Sequence, residues 1–299
     1  MLTVYTEDHR LQDGKSELID GQLLPCFEKP ARAEIIISRV REVDLGEVVG
    51  PKDFGRAPLE RVHADNFLRF METAWDAWVA AHGEFDALPL IWPTRGLRQI
   101  EPEAIDGKLS YFSLDAGTPI TAGTWRAVTA AANVALTGRE LIAGGERAVF
   151  ALCRPPGHHA SQDVYGGYCF LNNAAIAAQA FLDQGAGRVA ILDIDYHHGN
   201  GTQTIFYDRD DVLFASLHGH PAQEFPYFLG YETETGAGAG EGFNANYPLR
   251  WGTGFDRWSE ALDDACRRIT AFGPDAVIVS LGVDTFENDP ISQFRLRSE

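Results

Sequence analysis

Short runs of Val, Ile, Leu and Phe recur along the chain, and longer stretches between them return apolar residues at helical spacing. The short runs predict strands at 2–6, 148–152, 188–192, 212–216 and 276–280. The longer ones predict helices at 31–40, 59–82, 124–143, 172–183 and 258–272. Within 59–82, Val62, Phe67, Leu68, Met71, Trp75 and Trp78 form one apolar stripe, which reads as a packing face. Strands alternating with helices predict an α/β fold with a mostly parallel sheet. The later strands are apolar throughout, as strands covered on both faces are.

Two segments break the pattern. Residues 83–117 mix prolines, aromatics and acids without periodicity, and a loop of that length predicts an insertion serving as a lid or an interface. Residues 236–242 (GAGAGEG) lack the lysine and hydroxyl of a phosphate-binding loop and predict a mobile turn.

Composition narrows the class. At 45% hydrophobic and 23% charged, the 299 residues are those of a folded domain rather than a disordered chain. No run reaches the ~18 apolar residues that a membrane span needs, and the N-terminus has no signal-peptide pattern, so a cytoplasmic protein is expected. Cys26, Cys153, Cys169 and Cys266 show no close pair and are expected to be buried, reduced thiols. The formal charge of −18 excludes a phosphate-binding surface for nucleic acid and favours cationic ligands.

Three predicted strands end in chemistry. ILDIDYHHGNGTQ (191–203) runs from an apolar strand into Asp193, Asp195 and His197, which alternation would place on one side. The strand at 276–280 leads to Asp284, and the strand at 148–152 leads through Pro155, Pro156 and Gly157 to His158 and His159. Ligand sites of open α/β sheets lie beyond the carboxyl ends of strands. Carboxylates and imidazoles gathered there are costly to desolvate unless they are paired or hold a metal. One His and two Asp suit Zn²⁺, and Fe²⁺ also fits. Such a site hydrolyses with metal-activated water, an imidazole of the His158–His159 pair acting as general base and then acid. No G-x-S-x-G elbow offers an alternative nucleophile.

At these residues the chain resembles the zinc-dependent histone deacetylase superfamily, in particular its class II-like bacterial acetylpolyamine amidohydrolase branch. The segments that carry the likeness are RPPGHHA (154–160), GGYCFLNNAAIAA (166–178), ILDIDYHHGNGTQ (191–203), SLHG (216–219) and SLGVDTFENDPI (280–291), joined by YTEDHRLQDGKSEL (5–18). The resemblance implies an arginase/deacetylase-like single α/β domain over residues 1–299, with an insertion loop at about 83–117. It implies Asp195, His197 and Asp284 as zinc ligands, His159 as general base and acid, and His158 as its electrostatic support. Asp193 would partner His158, and Asn200 would partner His159. It further implies potassium held by Asp193, Asp195, His197, Ser216 and Leu217 at one site and by Phe206, Arg209, Val212 and Phe243 at another. Tyr168 and Phe225 would line a narrow channel, Glu17 would sit as an acid on its rim, and the insertion would build a homodimer interface that narrows the channel, its Asp106 and Asp115 adding negative charge at the mouth.

The activity so implied is removal of acetyl groups from acetylated polyamines, without nucleic-acid or membrane partners. The alternatives are an acyl-lysine protein deacetylase and a metal-binding, catalytically impaired polyamine binder. The second arises because the resemblance implies a further strand and a Gly-Gly-Tyr segment beyond Glu299, whose tyrosine would donate to the scissile carbonyl.

Overall fold

The computed structural model describes residues 1–298. The chain forms two compact units, 1–177 and 178–299.

The first unit opens with β1 (Leu2–Val4), then the hairpin β2 (Ser16–Ile19) and β3 (Gln22–Pro25), then α1 (Ala31–Glu42) and β4 (Val48–Val49). Next come α2 (Ala57–Glu60), α3 (Asp65–His82), α4 (Ile105–Tyr111), α5 (Thr124–Ala143) and β5 (Val149–Ala151). β1 lies between β4 and β5 in a parallel sheet. The β2–β3 hairpin turns at Asp20 and Gly21, both with positive φ, the backbone a two-residue turn demands and the reason Asp-Gly is favoured there.

The helix expected over 59–82 is divided. Ala64 is extended and donates its N–H to the Gln162 carbonyl, so α3 begins at Asp65. Of the expected stripe, Phe67, Leu68, Met71 and Trp78 are buried on α3, joined by Phe70 and Ala74, while Trp75 is half-buried and Val62 precedes the helix. The insertion at 83–117 is not wholly irregular, since it contains α4, whose Ile105 and Leu109 are buried.

The chain passes between the units within α6 (Asn173–Asp183). The second unit continues with β6 (Val189–Asp193), α7 (Asn200–Phe206), β7 (Val212–Gly219), β8 (Asn244–Leu249), α8 (Phe255–Phe272) and β9 (Ala276–Ser280). Its four-stranded sheet has the order β8-β7-β6-β9, and every pairing is parallel. β6 and β7 are buried at every position, as central strands should be. α8 packs Trp258, Ala261, Ala265, Ile269 and Phe272 into the core with Leu213, Ala215 and Leu217 of β7. β9 differs: as an edge strand it leaves Val277 and Val279 exposed, and Leu281 and Val283 continue the exposed row beyond it.

The α/β class with parallel strands flanked by helices is as the sequence indicates. The 236–242 turn is tighter than expected. A 3₁₀ turn at Gly238–Gly240 is fastened through the Ala237 N–H to the Tyr207 carbonyl, and a side chain on Gly240 would collide with the backbone at Tyr207–Arg209.

Candidate active site

β6 delivers the centre of the site. Asp193 is its last residue and fully buried, and its carboxylate accepts the Asp195 N–H at 3.1 Å. Past the strand end the alternation of sides no longer applies, so Asp193 stays behind while Asp195 and His197 turn toward the loop after β9. There they meet Asp284: ligand atoms of Asp195, His197 and Asp284 all lie within 4.8 Å of one another. His197 Nδ1 is 2.9 Å from Asp284 Oδ2 and 3.4 Å from Asp195 Oδ1.

Backbone amides fix this arrangement. The His197 N–H donates to Asp195 Oδ1 at 2.8 Å, and the Tyr196 N–H donates to Asp284 Oδ1 at 2.9 Å. Gly282 is required beside them, because any Cβ there would overlap the Asp195 carboxylate. Burial alone would lower the His197 pKa, but hydrogen bonds to Asp195 and Asp284 carry it up to about 10. Burial, with the charge of Asp195, pushes Asp284 up to about 6. Two carboxylates this close are stable together only against positive charge. The donor set, one imidazole nitrogen and two carboxylates converging with room for an ion, fits a divalent metal of the Zn²⁺ or Fe²⁺ kind.

In the first unit, the His158 and His159 rings lie against each other, centroids 4.0 Å apart and planes tilted by 44°. His159 is buried, and Gly167 lies directly against its ring, where a Cβ would collide with His159 Cδ2. Gly166, Gly167 and Tyr168 all have positive φ, so this turn depends on its glycines. Asp115 fastens it: the carboxylate accepts the N–H groups of Gly167 and Gly117 and the Thr118 hydroxyl. Tyr168 N–H in turn donates to Thr118 Oγ1 at 3.0 Å.

The acids expected at the channel mouth are therefore placed differently from the expectation. Asp115 holds backbone. Glu17 lies on β2 at 0% exposure, not on an open rim, and its Oε1 accepts the Phe27 N–H at 2.7 Å. Burial raises the pKa of Glu17 and drives that of Tyr168 strongly upward. Asp106 is exposed and pairs with His82 at 3.0 Å.

Among the remaining expected residues, Asn200 begins α7 and is buried. Ser216 and Leu217 are buried in β7, and the Ser216 hydroxyl bonds His218 Nδ1 at 2.8 Å. Phe206 ends α7, Val212 begins β7, Arg209 makes a two-pronged pair with Asp211, and the Phe243 carbonyl accepts the Phe214 N–H. Phe225 lies beside His197, its ring 6.2 Å from the imidazole at 74°. Cys26 and Cys169 are buried and Cys153 is half-buried, but Cys266 is exposed on α8, contrary to expectation. Burial pushes the Cys26 and Cys153 thiols up to about 12, which leaves them inert.

Sequence reasoning missed Tyr196, Gly282 and Glu224. Tyr196 and Glu224 stand next to recognised residues and Gly282 two before Asp284, but nothing in the linear order shows that Gly282 abuts Asp195 or that Glu224 reaches Tyr196.

The chain is similar to known proteins. Residues 26–299 match the histone deacetylase domain family. Acetylpolyamine amidohydrolase 2 of Pseudomonas aeruginosa is 63% identical over 298 residues, covering 100% of this chain and 87% of the relative. Acetylpolyamine amidohydrolase of Mycoplana ramosa is 52% identical, with 100% and 87% covered. The crystal structure of acetylpolyamine aminohydrolase from Burkholderia pseudomallei superposes with a TM-score of 0.93 at 39% identity, covering 99% of this chain and 85% of that one. With its converging carboxylates and imidazole at the strand ends and these likenesses over its whole length, the chain belongs to the histone deacetylase family.

Proposed function

We propose that this chain is a metal-dependent amidohydrolase that releases acetate from acetylated polyamines. The observation that carries the reading is the convergence of Asp195, His197 and Asp284 in a chain 52% and 63% identical to acetylpolyamine amidohydrolases. These likenesses do not favour the acyl-lysine protein deacetylase or the impaired binder.

Asp195, His197 and Asp284 would hold the metal, Zn²⁺ in the first instance and Fe²⁺ as the other ion the donors suit. When bound, it supplies Lewis-acid polarisation of the amide carbonyl and of water. The chain supplies the proton chemistry. His159 would take a proton from the attacking water and return it to the departing amine nitrogen, which must leave protonated. His158, lying against it, offers a second imidazole that shares the positive charge. The resemblance gives Asp193 and Asn200 as the partners that would orient the two rings, Asn200 without adding a negative charge. Tyr168 and Phe225 give flat apolar walls that suit a methylene chain.

The net charge of −18 supports a cationic amine as ligand. Potassium at the sites named above belongs to this reading as a structural ion. A homodimer through 83–117 is supported by the exposure of Phe85, Leu90, Ile91, Leu97 and Ile100, large apolar side chains within that one segment. Four cysteines without a disulfide among the described residues agree with a reducing, cytoplasmic setting, and no helix is long and apolar enough to cross a membrane.

The test is acetate release from N-acetylputrescine by the zinc-loaded chain, before and after chelation. Turnover that chelation removes and zinc restores is expected. Turnover of acetyl-lysine peptides with none of any acetylated polyamine would overturn the substrate assignment, and chelator-insensitive turnover would overturn the metal.

A further inference from the structure

We propose that Tyr196 and Glu224 form a positioning couple that ties the metal-ligand segment to the channel wall at Phe225 and so governs substrate affinity. The inference rests on the proposed amidohydrolase reading for its substrate, but its geometry is independent of that reading.

Tyr196 lies between two of the metal ligands, and its peptide is held on both sides: its N–H donates to Asp284, and its carbonyl accepts the Gly219 N–H at 2.7 Å. The ring is fully buried and meets Phe294 edge-on, centroids 4.6 Å apart at 88°. A phenylalanine would fill that space equally well. The hydroxyl is what distinguishes tyrosine here, and it donates to Glu224 Oε2 at 2.7 Å. Trp251 Nε1 reaches the same oxygen at 3.2 Å, while Glu224 Oε1 accepts the N–H of Phe225 at 3.1 Å. One carboxylate thus connects the residue between the ligands to the backbone of the residue whose ring lies beside His197.

Two further features fit a built device. A Cβ on Gly219 would sit 3.0 Å from both Glu224 Cγ and the Tyr196 ring, so the strand leaves room for their approach. The far end of the same loop is clamped separately, Glu234 Oε2 accepting from Gln203 Nε2 at 2.6 Å and from the Gly230 N–H at 2.9 Å. With that end fixed, the position of Phe225 follows the Glu224 end. A hydrogen bond to a charged group is a strong one, and its loss leaves the carboxylate half-buried with fewer donors.

The experiment uses the 299-residue chain with Y196F, E224A and E224Q, each also combined with F225A. Amide hydrogen exchange should rise across 222–230 in Y196F and E224A, and less in E224Q, which keeps an acceptor oxygen. KM for N-acetylputrescine should rise about tenfold in Y196F, the scale of one charge-assisted hydrogen bond, with kcat within about twofold and zinc content unchanged. In the F225A background, Y196F should add nothing further to KM. Unchanged exchange in Y196F overturns the proposal, as does a fall in kcat that tracks zinc loss, or a Y196F effect that persists in full without Phe225. If the unsubstituted chain turns over no acetylated amine, the substrate assignment fails, and the exchange measurement still decides the coupling.

Discussion

At the scale of single residues, the site is defined by side chains that have no room to move. Asp284 binds Tyr196 N–H and His197 Nδ1 at once, so D284N disturbs both the charge and the alignment of the ligand set. Groups that merely orient metal ligands are worth about 10- to 100-fold in affinity, so loss of this ligand should weaken zinc binding by more than about 100-fold, measured by competition with a chromophoric chelator. Gly167 bears on the proposed general base. G167A would push on His159 from a backbone at φ +55°, which alanine resists, and kcat should fall by about 10²-fold, the scale of a misplaced general base, while zinc affinity holds. His63 predicts a pH effect remote from the metal ligands. It is buried, its Nε2 accepts the Asn172 N–H at 3.0 Å, and burial pushes its pKa down from 6.5 to about 4. Between those values the unfolded chain binds a proton that the folded chain refuses, so this residue costs stability as pH falls from 6.5 toward 4, on the order of 3 kcal/mol in full. Denaturant melts at pH 7, 6 and 5 should show a shallower decline in H63Q than in the unsubstituted chain.

At the scale of elements, what could be read from the sequence was what repeats. α5 spans the residues its periodicity indicates, β9 likewise, and β6 and β7 announce themselves because central parallel strands are apolar at every position. β8 was not legible for the opposite reason. Its Asn244 and Asn246 look like loop residues, yet they are buried, Nδ2 of each donating to Gln203 Oε1 at 3.0 and 2.8 Å. Pro248 also argues against a strand, but β8 is an edge, where a missing N–H is tolerated. The β2–β3 hairpin carried a signal in Asp20-Gly21 that its short, mixed strands obscured. The site followed the same division. Ligands at strand ends are visible because polarity changes abruptly there, whereas Glu17 and Asp115 misled, since a carboxylate that binds backbone amides looks in sequence like one that faces solvent.

At the scale of the whole molecule, the exposed residues decide how copies meet. Leu90 is 86% exposed and Ile91 64%, both within the 83–117 insertion. If that segment forms the dimer, L90D/I91D should convert the sedimenting species to a monomer, with metal content unaffected. The edge at β9 has a different consequence. Val277, Val279, Leu281 and Val283 present a greasy row beside unpaired backbone, an invitation to indiscriminate sticking. At low ionic strength the mutual repulsion of chains carrying −18 each opposes that encounter, and added salt removes the repulsion over distances beyond about 8 Å at 0.15 M. Light scattering of this polypeptide should therefore climb with sodium chloride and stay flat for V277K/V279K, which makes the choice of storage buffer a direct reading of one strand's edge.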